Sequence, residues 1–459
     1  MSDSAPARRG GPASPHSVRI FPLLVLVLAL FAGLISTSAA AADSAVPADK
    51  IDHELLTKLH KGPAEFYVLL TEHADLSHLG TLKDHAKRTA KGRAELVRTA
   101  EHSQHDLKAL LTEAGTAHDS FWIVNAVRVA RGDAKLAQRI AALDSVRAIR
   151  QIPDIRLLDA NDAKNAPAAK VAEDESAWGV TDIGAPKAWA DSGARGQGVV
   201  VASIDTGVNF EHEALAGNYR GARGDGTYDH DYNWYDPAAV CARPSLQPCD
   251  NNGHGTHTTG TAAGGGPHQV GVAPGATWIA AKGCENNTCS TKSLLASGQW
   301  VIAPTNLAGE KPRPEMAPNV VNNSWGASSY DPFYEEIVQR WTEVGIFPVF
   351  AAGNSGPSCE SMGSPADYPT SYAVAAYDAD HAIASFSSRG SADTVARPDI
   401  AAPGVAILSS ASGGGYISLR GTSMAAPHLA GAVAVLWSYS PQLFGDVKAT
   451  RDVLDASAA

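Results

Sequence analysis

Beyond Gly198 the chain settles into short apolar runs separated by stretches of helical periodicity, and few folds can absorb that alternation. The runs are Val199-Val-Val-Ala-Ser-Ile204, Trp278-Ile-Ala-Ala281, Val320-Val321 with its flanks, Ile346-Phe-Pro-Val-Phe-Ala351, Tyr372-Ala-Val-Ala-Ala376 and Val405-Ala-Ile-Leu408. They are apolar at successive positions rather than at every second one, as strands covered on both faces require. Ser293 to Ile302, Phe333 to Val344 and Ser423 to Trp437 read as helices. Strand and helix in alternation predict an α/β fold, a parallel sheet covered by helices. In such sheets the chemistry sits at the carboxyl ends of the strands. This unit spans 177–459.

What precedes it is built differently. Arg8, Arg9 and Arg19 lead into the apolar run from Phe21 to Phe31, and small residues follow to Ala39-Ala40-Ala41-Ala42. That order is a secretory signal peptide over 1–42. The run is shorter than the roughly 20 residues a spanning helix needs, so the expectation is a secreted protein with no stable membrane insertion after signal removal. In 43–158, Glu65 to Leu70 reads as a strand, Leu82 to Glu113 as a polar helix and Phe121 to Val129 as a second strand. Asp133 could cap a helix to about Leu143, and Val146 to Leu158 includes another strand. These make a small α+β domain. Residues 159–176 have no apolar period and read as a linker that holds a processing site.

Charge excludes one class of partner. Residues 201–459 hold 24 acidic and 13 basic side chains, which accounts for the whole net charge of −11. Phosphate binding needs a basic face, so nucleic acid is not expected. The five cysteines, Cys241, Cys249, Cys284, Cys289 and Cys359, lack zinc-finger or CxxC spacing. Local bridges 241–249 and 284–289 are the simplest pairing for an exported chain and would leave Cys359 free, although five cysteines allow other pairings.

Four strings carry chemistry. Asp205-Thr-Gly207 closes the first strand of the sheet, where an aspartate can orient a histidine. An aspartic-protease reading with Asp191 as the partner fails, because the two lie 14 residues apart and such aspartates come from separate lobes. In Asn252-Gly-His254-Gly-Thr-His257, glycines let backbone approach the imidazole. A metal pair of His254 and His257 lacks both the HExxH pattern and a third ligand. Ala352-Gly-Asn354 follows a strand, and an amide there can donate to a developing oxyanion. In Gly421-Thr-Ser423-Met-Ala-Ala-Pro-His428, Ser423 opens a helix whose dipole and backbone N–H favour negative charge. A serine hydroxyl needs a base. His254 would take its proton, and Asp205 would fix the imidazole tautomer.

These strings resemble the signature segments of the subtilisin family. Val270 to Gly275, Asn322 to Gly326, Phe386 to Gly390 and Asp399 to Gly404 are similar to its bacillopeptidase F-type members in particular. The resemblance implies a serine endopeptidase acting on proteins and peptides through an acyl-enzyme, with Asp205, His254 and Ser423 as triad and Asn354 as oxyanion donor. It implies that Ser324, Trp325 and Gly326, with Ala351, Ala352 and Gly353, edge the substrate pocket, and that 43–158 is an inhibitor-like propeptide, the protein's own partner in a zymogen. No cofactor is required for the chemistry. A structural calcium stays open: the loop that holds it in relatives reads Gly264-Gly-Gly-Pro-His-Gln269 here, and Asp229-x-Asp231-x-Asn233 offers the other oxygens. The competing function is a non-catalytic binding protein of the same fold, which the presence of all three triad residues and Asn354 disfavours.

Overall fold

A computed structural model describes residues 50–158, 176–391 and 397–458. The signal segment lies outside these residues, as does all of the linker except Ser176. Among the described residues no helix is long and apolar enough to cross a membrane.

The first part is an antiparallel sheet with helices. Helix α1 (His53–Lys61) leads to β1 (Ala64–Leu70), α2 (His85–Ser103), α3 (His105–Glu113), β2 (His118–Phe121), β3 (Ala126–Gly132), α4 (Ala134–Ala141) and β4 (Val146–Arg150). The strand order is β2-β3-β1-β4. Leu55, Phe66, Val68, Leu107, Val127 and Ile140 close its own small core. Asp133 caps α4 by accepting from Leu136 N at 2.7 Å. The single strand expected over 121–129 is instead a hairpin. Asn125 takes a left-handed backbone, which asparagine tolerates at turns, so the chain reverses where the apolar run continues. The polar helix expected over 82–113 is two helices, α2 and α3, meeting at Gln104.

Strand β5 (Ile155–Leu157) leaves this sheet and joins the second part. There the order is α5 (Trp178–Asp182), α6 (Ala185–Ser192), β6 (Val200–Asp205), β7 (Trp234–Tyr235), α7 (His254–Ala263), β8 (Thr277–Lys282), β9 (Cys284–Glu285), β10 (Thr288–Cys289), α8 (Thr291–Ile302), β11 (Val320–Asn323), β12 (Trp325–Gly326), α9 (Glu335–Glu343), β13 (Phe347–Ala351), β14 (Tyr372–Tyr377), β15 (Ile400–Pro403), β16 (Ile407–Ser410), β17 (Tyr416–Leu419), α10 (Thr422–Tyr439) and α11 (Val447–Ser457). Seven strands pair in parallel in the order β15-β14-β13-β11-β6-β8-β7. Helix α10 covers one face, with Ala430, Val433 and Trp437 against Val349 and Val374. Helices α8 and α9 cover the other with Leu294, Ile337 and Trp341. The run at 405–408 is not in this sheet: β16 pairs with β17 as a separate hairpin, and β15 takes the edge. Both expected local disulfides form, and Cys359 is free and exposed.

Candidate active site

Asp205 is the last residue of β6 and is almost wholly buried, at 1% exposure. Its Oδ1 accepts from Thr206 N and from His254 Nδ1, both at 2.7 Å, and its Oδ2 from Thr258 Oγ1 at 3.2 Å. His254 opens α7, and α7 can come this close because Gly255 has no side chain: a Cβ there would stand 2.1 Å from Gly207 O. The ring's other nitrogen, Nε2, is buried without a hydrogen-bond partner. Burial opposes protonation of this imidazole. The charge and hydrogen bond of Asp205, with Asp250 behind them, outweigh it and hold the pKa above the usual histidine range.

Ser423 is the second residue of α10. Gly421 precedes the helix with φ 145°, and a Cβ there would meet Asn354 Nδ2 at 3.2 Å. The Ser423 hydroxyl donates to Ser324 O at 3.2 Å, and the Ser324 hydroxyl donates back to Ser423 O at 3.1 Å. The structure therefore joins Asp205 to His254 directly and ties Ser423 to the strand region at 324–326, while α10 packs on α7. Asn354 Oδ1 accepts from Thr422 N and Oγ1, both at 2.9 Å. That turns the amide so that Nδ2 is its donor end. Ala351, Ala352 and Gly353 are buried beside it, with Gly353 N donating to Thr422 Oγ1 at 3.1 Å.

Strand β5 runs antiparallel between β10 and β12, pairing Leu157 with Trp325, Arg156 with Gly326 and Thr288, and Ile155 with Cys289. The 284–289 disulfide closes the β9–β10 hairpin that forms one edge. Beyond β5, Leu158 reaches Gly326: a Cβ on that glycine would lie 3.6 Å from Leu158 Cδ2.

Sequence reasoning missed the frame behind the histidine. Asp250 Oδ1 accepts from Thr206 Oγ1, Asn252 N and Gly253 N, and its Oδ2 from Thr256 N and Oγ1. Lys282, 1% exposed and in register with Asp205, donates to Thr206 O and to Asn251 Oδ1. An aspartate four residues before a helical histidine was the available signal for the first. A lysine ending an apolar strand was the signal for the second.

No three His, Cys, Asp or Glu side chains cluster to hold a metal among the described residues. His257 Nε2 faces Ile407 O and Ile417 O at 3.0 and 3.1 Å, and burial pushes its pKa down to about 3. His428, bonded to Met424 O and equally sealed, falls to about 4. The oxygens named for calcium are engaged by protein groups. Asp229 pairs with Arg223, Asp231 Oδ1 accepts from Leu307 N and Asn233 Oδ1 accepts from Arg220. The loop at 264–269 offers no carboxylate.

A sequence model described as the subtilase family matches residues 196–458. Bacillopeptidase F of Bacillus subtilis (strain 168) is 39% identical over 383 residues, 78% of this chain and 26% of that protein. Subtilisin BL of Lederbergia lenta is 37% identical over 267 residues, 58% of this chain and 85% of that protein. The subtilisin-like serine protease Pen ch 13 of Penicillium rubens is 33% identical over 298 residues, 64% of this chain and 66% of that protein. The chain thus spans about a quarter of the bacillopeptidase F and most of the subtilisin.

Proposed function

Because the chain belongs to the subtilase family, we propose that it is a secreted serine endopeptidase, made as a self-processing precursor, that hydrolyses peptide bonds in proteins through an acyl-enzyme intermediate. Ser423 is the nucleophile. Its hydroxyl turns from Ser324 O toward His254 Nε2, which takes the proton as the oxygen attacks the carbonyl carbon. Asp205 holds Nδ1–H and stabilises the imidazolium. The developing oxyanion is met by Asn354 Nδ2 and by the backbone N–H at the start of α10, donors fixed before the reaction begins. His254 returns the proton to the leaving amine, and water repeats the sequence on the ester.

One observation carries the reading most: the chain's own Ile155–Leu157 lies as the middle strand between Thr288–Cys289 and Trp325–Gly326, as a peptide substrate would. Leu158 then supplies the side chain before the scissile bond, and Leu158–Asp159 is the bond cut in processing. The walls at 324–326 and 351–353 carry no charge, which favours apolar side chains. Glu360 is exposed on its loop, tied to Gly390 and Ser391.

Residues 1–42 are the signal and 43–158 the propeptide. Support for the latter comes from its own core and from its seat on α8, where Gln299 Oε1 accepts from Trp122 N at 2.6 Å and Lys292 pairs with Asp119 at 3.1 Å. The test is direct. A fluorophosphonate probe labels the wild-type protein and not Ser423→Ala, the wild-type product begins at Asp159, and Ser423→Ala stays uncut. Casein cleavage retained in Ser423→Ala refutes the triad. Active enzyme that still begins near residue 43 refutes the precursor.

A further inference from the structure

Besides the strand in the cleft and the turn seated on α8, the N-terminal segment touches the catalytic unit through one face of α2 and through the residues before it, where His73 Nδ1 lies 2.9 Å from Glu336 Oε1 and Lys83 Nζ 3.7 Å from Asp446 Oδ2. His85, Arg88, Thr89, Gly92 and Leu96 recur at helical spacing on that face. Arg88 Nε donates to Glu343 O at 2.8 Å, Nη1 to Gly445 O at 2.9 Å and Nη2 to Thr342 O at 3.4 Å. Two of these carbonyls end α9, where the helix dipole favours a cation, and Thr342 O also accepts from Gly345 N. Thr89 Oγ1 donates to Pro314 O at 2.8 Å. His85 Nε2 lies 3.2 Å from Pro318 O, and its ring stands edge-on to Phe444 with centroids 6.2 Å apart. At Gly92 the helix backbone meets the catalytic unit: a Cβ there would fall 2.5 Å from Val344 Cγ1. Leu76, Leu79 and Leu96 share one core with Val338, Trp341 and Val344.

These partners sit at the amino end of the parallel sheet. Pro318 precedes β11 and Val344 precedes β13, whereas Ser324 and Ala352 follow those same strands. Four or five residues of strand, roughly 15 Å, separate the two ends.

We propose that α2 and the preceding turn are a separate anchor of the propeptide, docked on a surface formed by residues 314–318, 342–345 and 444–446, and that this anchor sets how long the cleaved segment stays on the enzyme. The inference rests on the precursor reading above. Cleavage after Leu158 happens within one chain, so it needs only β5 in the cleft. Escape afterwards needs every contact to break. An anchor at the far end of the sheet keeps β5 at high effective concentration over the active site each time the strand lets go. The α2 face carries Arg88 and Gly92 and is met mostly by backbone carbonyls and apolar side chains, with the Lys83–Asp446 and His73–Glu336 pairs beside it.

The experiment uses the full-length chain, with Arg88→Ala and the milder Thr89→Val. Cutting after Leu158 is followed by intact mass, and peptidase activity is followed in the same sample. Both variants are cut at the wild-type rate and reach the wild-type kcat/KM. The lag between cutting and activity shortens about tenfold or more in Arg88→Ala, the loss of about 1.4 kcal/mol of binding, and less in Thr89→Val. An unchanged lag in both overturns the anchor. If Arg88→Ala yields no cut product, hydrogen exchange in the Ser423→Ala precursor with and without Arg88→Ala decides. Faster exchange across 85–103 and 342–347 with 155–157 still protected supports the anchor, and wild-type protection across 85–103 refutes it. The precursor reading fails separately, on the wild-type chain alone, if that chain is active without being cut.

Discussion

Replacing Asp250 by asparagine tests the frame behind His254. The carboxylate accepts five hydrogen bonds, from Thr206 Oγ1, Asn252 N, Gly253 N, Thr256 N and Thr256 Oγ1. Asparagine keeps one acceptor oxygen and turns an NH₂ toward either the Thr256 pair or the Asn252–Gly253 side. At least one backbone N–H at or just before the start of α7 then loses its partner, and the remaining bonds lose their charge assistance. Bonds to a charged group contribute about 1.5–3 kcal/mol each, but Asp250 is partly exposed and water replaces some of them. A net loss of about 2 kcal/mol follows, or about 3 °C in the melting temperature of a unit this size. The pH profile moves as well. Asp250 is one of the charges that raise the His254 pKa, and in the proposed mechanism the base works only when neutral. Removing the charge lowers that pKa, so the acid limb of kcat/KM moves to lower pH. Thermal melting and kcat/KM against pH in one buffer series read both effects. A lowered melting temperature with a fixed acid limb would reduce Asp250 to a helix cap. An acid limb moved upward would refute the electrostatic argument outright.

Asn354→Ala should slow turnover by about 10² to 10³ with KM little changed, a scale taken from subtilisin's own oxyanion donor, and an unchanged kcat would make Asn354 a turn residue. Leu158→Lys should slow self-cleavage by roughly 10- to 100-fold, the value of burying a leucine-sized apolar side chain, read from the half-life of the uncut precursor. A peptide library should show apolar residues before the scissile bond, and strict cleavage after arginine would overturn the pocket assignment.

Much of this was legible because it is local. Val200–Asp205 and Tyr372–Tyr377 are buried on both faces, and unbroken apolar runs announce that without knowledge of their neighbours. His254 and Ser423 are flanked by small residues that close packing demands, so the need is written beside them. Elements whose reason lies elsewhere in the chain stayed hidden. Ile155–Leu157 is a strand because β10 and β12 lie on either side of it, and three residues carry no period. Trp122 to Asn125 turns where apolar character continues, held by Gln299 from another element. Lys282 is buried for the sake of Thr206 and Asn251, both distant in sequence. The polar face of α2 reads as solvated until α9 supplies the carbonyls that it faces.

His257 and His428 make the fold a proton sink once it opens. Unfolded, each imidazole takes up a proton near pH 6.5. Folded, they resist until about 3 and about 4. Between those limits unfolding consumes protons, so acidification below about 6.5 removes stability until the folded value is reached. His254 works in the other direction, but its contribution is complete by about pH 6.5 and gains nothing further below it. The two sinks lie inside α7 and α10, the helices that carry His254 and Ser423. Acidification therefore weakens the two helices on which the proposed active site stands.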